Sequence, residues 1–131
     1  MEELGDSMDM SNGFWSDGSS VHFVKNGERI SPTRIEGVVS LSIANSRGFG
    51  CRLGLDNGSS VSVQWKYGNY CHNRDNEEPT EFSPDAEIAV LTPDGDWVSF
   101  GYDTIRGWQS VDEVLNIIHH FRTSPSVPFE D

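Results

Sequence analysis

A chain of 131 residues with a formal net charge of −12 has the length of one domain, and at that length about two-thirds of the unfolded surface can be buried. No apolar run approaches the ~20 residues that span a bilayer, the first residues lack the basic and apolar stretches of a secretory signal, and no basic stripe is present to displace counterions from nucleic acid. The expectation is a cytoplasmic protein with no membrane and no direct nucleic-acid partner.

The acid is unevenly placed. Glu2, Glu3, Asp6, Asp9 and Asp17 lie near the start, Glu130 and Asp131 at the end, and Asp75, Glu77, Glu78, Glu81, Asp85 and Glu87 in one stretch offset only by Arg74. The remaining acids and bases balance. Acid confined to tails and a loop favours solubility, and such a loop also steers encounter with a basic surface.

In chain order, residues 1–12 are acidic and aperiodic and are expected to be a disordered leader. Ser19 to Ile30 predicts a hairpin around Asn26-Gly27, residues that both tolerate positive φ. Three strands with period-two alternation follow, carrying Val39, Leu41 and Ile43, then Phe49, Cys51, Leu53 and Leu55, then Val61, Val63, Trp65 and Tyr67. A two-residue loop at Asn57-Gly58 would set Leu53 against Ser62. A three-residue loop, Asp56-Asn57-Gly58, pairs Leu53 with Val61, Cys51 with Val63 and Phe49 with Trp65, keeping large apolar side chains on one face. That register puts Cys51 in the core and weighs against a Cys51–Cys71 disulfide, whose Cα atoms must lie within ~7 Å.

Residues 68–85 have no period and are long for a connection in a small domain, which marks them as functional or disordered. Ala86 to Leu91 predicts a strand, Pro93-Asp94-Gly95 a turn, and Trp97 to Phe100 the next strand. Ser110-Val111-Asp112-Glu113 is a capping box opening a helix with an apolar stripe at Val111, Val114, Leu115, Ile118 and Phe121. Residues 123–131 are expected to be a flexible tail. The predicted fold is α+β: one antiparallel sheet of about six strands, built of hairpins, packed by one C-terminal amphipathic helix over the face of Val39, Leu41, Leu53, Val61 and Val63. The domain is expected to span 13–122, with the four tryptophans as large core pieces.

Cys71-His72 raises a nucleophile pair and a metal site. Adjacent side chains on an extended segment point opposite ways, so His22, His119 or His120 would have to supply the base. Zinc would need two further ligands, and no C-x-x-C spacing offers them. No catalytic residue, metal or cofactor is therefore assigned. Recognition is the better use of this stretch: Tyr67, Asn69, Tyr70, His72, Asn73 and Arg74, with Asp75, Glu77, Glu78 and Glu81, are the candidate binding residues, tyrosine and arginine being favoured anchors.

Gly68-Asn69-Tyr70-Cys71, Ala86-Glu87-Ile88-Ala89-Val90, Asp94-Gly95-Asp96-Trp97 and Gly107-Trp108-Gln109-Ser110 are similar to strings in a group of small uncharacterised proteins encoded by bacteriophages, over about residues 60–120. That resemblance implies an accessory role in the cytoplasm of a bacterial host, such as inhibition of a host defence protein with a basic surface. An immunity-type protein that neutralises a toxin enzyme is the neighbouring reading. A small ligand-binding protein or enzyme using Cys71 and His72 is the third.

Overall fold

Among the described residues, 9–17, 19–43, 49–77, 81–101 and 103–129 of a computed structural model, the chain forms nine strands and one α-helix. The strands are β1 (Gly13–Ser16), β2 (Val21–Lys25), β3 (Glu28–Ile30), β4 (Val38–Ile43), β5 (Gly50–Leu55), β6 (Ser60–Gln64), β7 (Phe82–Ser83), β8 (Ala86–Leu91) and β9 (Ile105–Gln109), and the helix is α1 (Val111–Thr123). The class is α+β with antiparallel strands, but one six-stranded sheet is not what forms. The strands divide into a four-stranded sheet, β3-β2-β1-β7, and a five-stranded sheet, β4-β5-β6-β8-β9.

Local chemistry sets the turns. Asn26 and Gly27 take φ of 52° and 82° and close the β2–β3 hairpin as a two-residue turn. Between β5 and β6, Gly58 sits at φ 92°, and the three-residue loop delivers Leu53 opposite Val61 and Cys51 opposite Val63. The ladder closes where the Trp65 N–H donates to the Phe49 carbonyl at 3.1 Å. Cys51, Leu53, Leu55, Val61 and Val63 are then all buried on one face, with Arg52 on the other, as register arithmetic requires.

The first strand of the larger sheet departs from simple alternation. Val38 faces Leu55 and Ser40 faces Gly54, so Val39 is the extra residue of a β-bulge. It turns outward and is 67% exposed, while Val38 takes the buried place expected of it. Farther on, Trp97 makes only an isolated bridge with Leu91, and the regular strand begins at Ile105. Residues 97–100 are apolar enough to resemble a strand, yet the chain turns back after Phe100, whose N–H donates to the Asp103 carbonyl at 2.8 Å.

The two sheets meet through aromatics. Trp65 is fully buried and stacks on Phe14 of β1 at 5.3 Å, and Phe14 meets Phe23 edge-on at 5.2 Å. The helix adds Val111, Val114, Ile117, Ile118 and Phe121 to the same core. Ile117 therefore takes the buried place expected of Leu115, which is only half-buried. Both halves of the capping box are made: the Glu113 N–H donates to Ser110 Oγ at 3.2 Å, and the Ser110 N–H to Glu113 Oε1 at 2.8 Å. The helix's far end is held by Asn57, whose Nδ2 donates to the carbonyls of Phe121 and Arg122 at 2.7 and 3.1 Å. The loop that sets the β5–β6 register thus also caps the helix. Beyond it, Phe129 packs back among Phe100, His120 and Phe121.

Candidate functional site

After β6 the chain folds into a compact loop instead of an open excursion. Asn69 organises its first turn: Oδ1 accepts the Lys66 N–H at 3.0 Å, and Nδ2 donates to Glu87 Oε1 of β8 at 2.9 Å. Asn73 organises the second, its Nδ2 donating to the Trp65 carbonyl at 2.9 Å. The loop closes where the Gly68 N–H, at φ 90°, donates to the Arg74 carbonyl at 3.0 Å. Asp85 ties it down by accepting the His72 N–H at 2.6 Å. Asn69 and Asn73 are buried, so their side chains are spent on loop geometry and do not face a partner.

Cys71 is buried too. Its thiol donates to the Lys66 carbonyl at 3.7 Å, and burial pushes its pKa up from the ordinary 9.0 to about 11, opposed next by the Asn73 backbone, with Asp85 and Glu87 raising it further and Lys66 lowering it least. In the core, Cys51 is raised by burial alone to about 12. Both are free thiols. His72, in the turn closed by the Arg74 N–H on the Cys71 carbonyl at 3.0 Å, is exposed where Cys71 is buried, so the two side chains diverge.

This chemistry has a measurable consequence. A folded pKa raised above the unfolded one means the folded state holds its protons more tightly, so the thiols' contribution to stability is full below the ordinary 9.0 and is lost as pH rises through the folded values. Thermal melts taken from neutral pH upward should be flat with respect to these groups and then fall above that value, and a Cys51→Ser Cys71→Ser chain should lose that part of the fall. Thiol labelling at neutral pH should be slow in the folded chain and fast in denaturant.

What the loop does present is aromatic. Tyr70, 40% exposed, stacks nearly parallel on Trp108 of β9, 54% exposed, with ring centroids 5.6 Å apart. Arg74 lies over the other part of this unit, its guanidinium carbon 5.3 Å from the Tyr70 ring centre. The backbone fixes the stack: the Trp108 N–H donates to the Tyr70 carbonyl at 2.9 Å. Gly107 permits the approach, because a Cβ there would stand 2.7 Å from Tyr70 Cβ. Trp108 itself takes φ 53°, a costly conformation for a bulky residue, where the pairing of β8 with β9 slips between Ala86 and Ile88. Tyr67 is exposed beside the loop.

Of the acidic candidates, Asp75, Glu77 and Glu81 are exposed, while Glu78 lies outside the described residues. Asp75 is 3.9 Å from Arg74. Asp85 and Glu87 serve the loop, as above. A shallow groove of about 220 Å³ adjoins on the outward face of the larger sheet, between Gln64, Glu87, Trp97 and Ile105. Another, of about 450 Å³, runs between the exposed side of α1 and Phe129, with His119 and His120 on its wall; His120 Nε2 donates to the Val127 carbonyl at 2.6 Å. Among the described residues no three His, Cys, Asp or Glu side chains gather as metal ligands, and no helix is long and apolar enough to cross a membrane.

Sequence reasoning missed Trp108 as a surface residue. It counted all four tryptophans toward the core, yet Trp97 and Trp108 are more than half exposed. The available signal was Gly107-Trp108-Gln109, a tryptophan with no alternating apolar neighbours. Compared with known proteins, the chain matches no family model, no curated protein and no solved structure.

Proposed function

We propose that this chain is a non-catalytic binding protein that engages the basic surface of another protein. The observation that carries the reading is the exposed Arg74–Tyr70–Trp108 stack. Tryptophan, tyrosine and arginine are the residue types that dominate binding energy. Here the Trp108 N–H bond to the Tyr70 carbonyl and the parallel stacking of their rings bring the two aromatics together before association, which lowers the entropy they lose on binding. Asp75, 3.9 Å from Arg74, and the exposed Glu77 and Glu81 favour encounter with a basic partner. The resemblance read from the sequence strings suggests a host defence protein as the class of partner to try first.

The test is affinity capture from a bacterial host lysate. Tyr70→Ala with Arg74→Ala, and separately Trp108→Ala, should abolish the captured band while leaving the thermal melt within a few degrees of the parent, since all three residues are exposed. Raising salt should slow capture, because steering between exposed charges is screened beyond ~10 Å. Undiminished capture by the double variant removes this surface from the function.

A further inference from the structure

Alternate residues of the larger sheet face away from the core, and three rows of them shape the groove beside Glu87. Register sets Gln64 next to Glu87, Ser62 next to Ala89, and Ala89 next to Ile105, while Trp97 bridges to Leu91 one row farther on. Ser62 and Ala89 are short, so a gap opens between the Gln64–Glu87 row and Trp97. It holds about 220 Å³, with Thr104 completing its lining. Ligands of cofactor or drug size occupy pockets of about 300–1,000 Å³. This groove has room for one long side chain.

Its polar groups accept hydrogen bonds and carry negative charge. Glu87 Oε1 takes the Asn69 Nδ2 bond at 2.9 Å, which orients the carboxylate, and among the described residues no other bond to it forms. Gln64 Nε2 donates to Ser62 Oγ at 3.1 Å, so its amide oxygen is what it offers to a ligand. Asp103 stands beside the groove, its Oδ1 accepting the Ile105 N–H at 3.1 Å. No lysine, arginine or histidine lines the space. Arg52 lies opposite Ser62 in β5 and is exposed, and Lys66 Nζ turns to the Tyr67 carbonyl at 3.4 Å. The remaining wall is the indole of Trp97, 56% exposed. A carboxylate and an aromatic ring lining one groove suit a guanidinium, which is planar, donates five N–H bonds and stacks on aromatic faces. The chain makes this contact with its own residues elsewhere, where the Arg29 guanidinium carbon lies 3.8 Å from the Trp15 ring centre.

We propose that the groove seats an arginine side chain of the partner, its guanidinium stacked on Trp97 and donating to Glu87 Oε2 and Gln64 Oε1. This rests on the reading of a basic partner given above and adds a second contact to the Arg74–Tyr70–Trp108 stack. Charge selects the occupant. A chain of net charge −12 draws cations to its surface, and here a carboxylate already held in place waits at the end of a groove that no base lines. Lysine fits less well, because its ammonium is a point charge with no plane to lay on the indole. Glu87 also links the two contacts, since Asn69, which holds its carboxylate, shapes the loop that carries Tyr70 and Arg74.

Titration of the isotope-labelled full chain with Nα-acetyl-arginine amide at fixed ionic strength, followed by NMR, tests this. The Trp97 indole N–H and the amides of Gln64, Glu87, Ala89 and Ile105 should shift together and saturate. The citrulline analogue has the same shape without the charge; it and the lysine analogue should each bind roughly fivefold or more weakly. Trp97→Ala changes an exposed side chain, and Glu87→Gln keeps an oxygen for Asn69. Each should weaken arginine binding roughly tenfold while the Tyr70 and Trp108 signals stay in place. Arg52→Gln removes the base across from Ser62 and should not weaken it. Shifts that do not saturate, citrulline or lysine bound as tightly as arginine, full affinity in both groove variants, or affinity lost with Arg52 would each overturn the proposal. The probe is a small molecule, so its failure strikes the groove and leaves the stack to the capture test. Tyr70→Ala with Arg74→Ala should lose capture yet keep arginine binding, so failure of the stack is read separately.

Discussion

Trp65→Ala should lower the unfolding free energy by about 3–5 kcal/mol, the range for truncating a large buried aromatic. Against a total of about 5–15 kcal/mol that is a large share, and the melting temperature should fall by on the order of 10–20 °C. The reason lies in where Trp65 stands. It follows β6 in the larger sheet, stacks on Phe14 of the smaller at 5.3 Å, and is fully buried. Its N–H ends the β5–β6 ladder on Phe49, and its carbonyl receives Asn73. Removing the indole opens a void between two sheets that other strands hold apart, so collapse cannot fill it. Trp65→Phe separates packing from polarity. The indole Nε1 meets no acceptor among the described residues, so phenylalanine loses some volume but also removes a buried donor, and the net cost should be about 1 kcal/mol or less. Denaturant melts of the two variants decide it: equal losses would mean that the N–H is satisfied and that the ring's size is not what matters.

The same residue shows where sequence reading succeeds and where it stops. That Trp65 faces inward, and that Phe49 and Cys51 stand across from that strand, follow from period-two alternation and one choice of loop length, because a register slip would have exposed every large side chain. The Asn26-Gly27 hairpin and the Ser110–Glu113 capping box are equally local: four residues or fewer contain the whole physical reason. That Trp65 stacks on Phe14 is not local. β1 has only four residues, Gly13–Ser16, three of them buried, so alternation cannot announce it. Its pairing with β7 joins segments far apart in the chain. One expected sheet therefore becomes two, since the strands that build the second are too short to carry a pattern.

The loop after β6 is legible as a place and illegible as a geometry. Its lack of period, its aromatics and its acids all marked residues 68–85. Nothing in the string distinguished Asn69 and Asn73, which face inward to bond, from Tyr70 and Arg74, which face outward. Polar residues at a loop are usually read as exposed, and here a turn with no regular ladder needs side-chain amides to satisfy its backbone. Trp108 was hidden for a related reason. It belongs to a strand whose pairing slips at a bulge, and a bulge erases the period by which strands are found. The stack exists only because two such irregular segments meet.

Asn73→Ala should therefore act on recognition through structure. The side chain is buried, and its Nδ2 donates to the Trp65 carbonyl at 2.9 Å. Alanine leaves that acceptor without the bond inside a tight loop, at about 1–3 kcal/mol. Asn73→Asp should cost more, because an ionised carboxylate cannot donate and must itself be desolvated beside Glu87 and Asp85, the acids that bind the same loop. The strain should surface locally: faster amide exchange across residues 66–76, faster thiol labelling of Cys71, and weaker partner capture although Tyr70, Arg74 and Trp108 are all still present. A purely global loss of stability would accelerate labelling of Cys51 and Cys71 together. Labelling of Cys71 alone, with Cys51 still protected, is the signature of a loop that has lost its anchor while the sheets hold. If Asn73→Ala leaves both exchange and capture unchanged, the rigid mounting of the Arg74–Tyr70–Trp108 stack is not what makes it a contact surface.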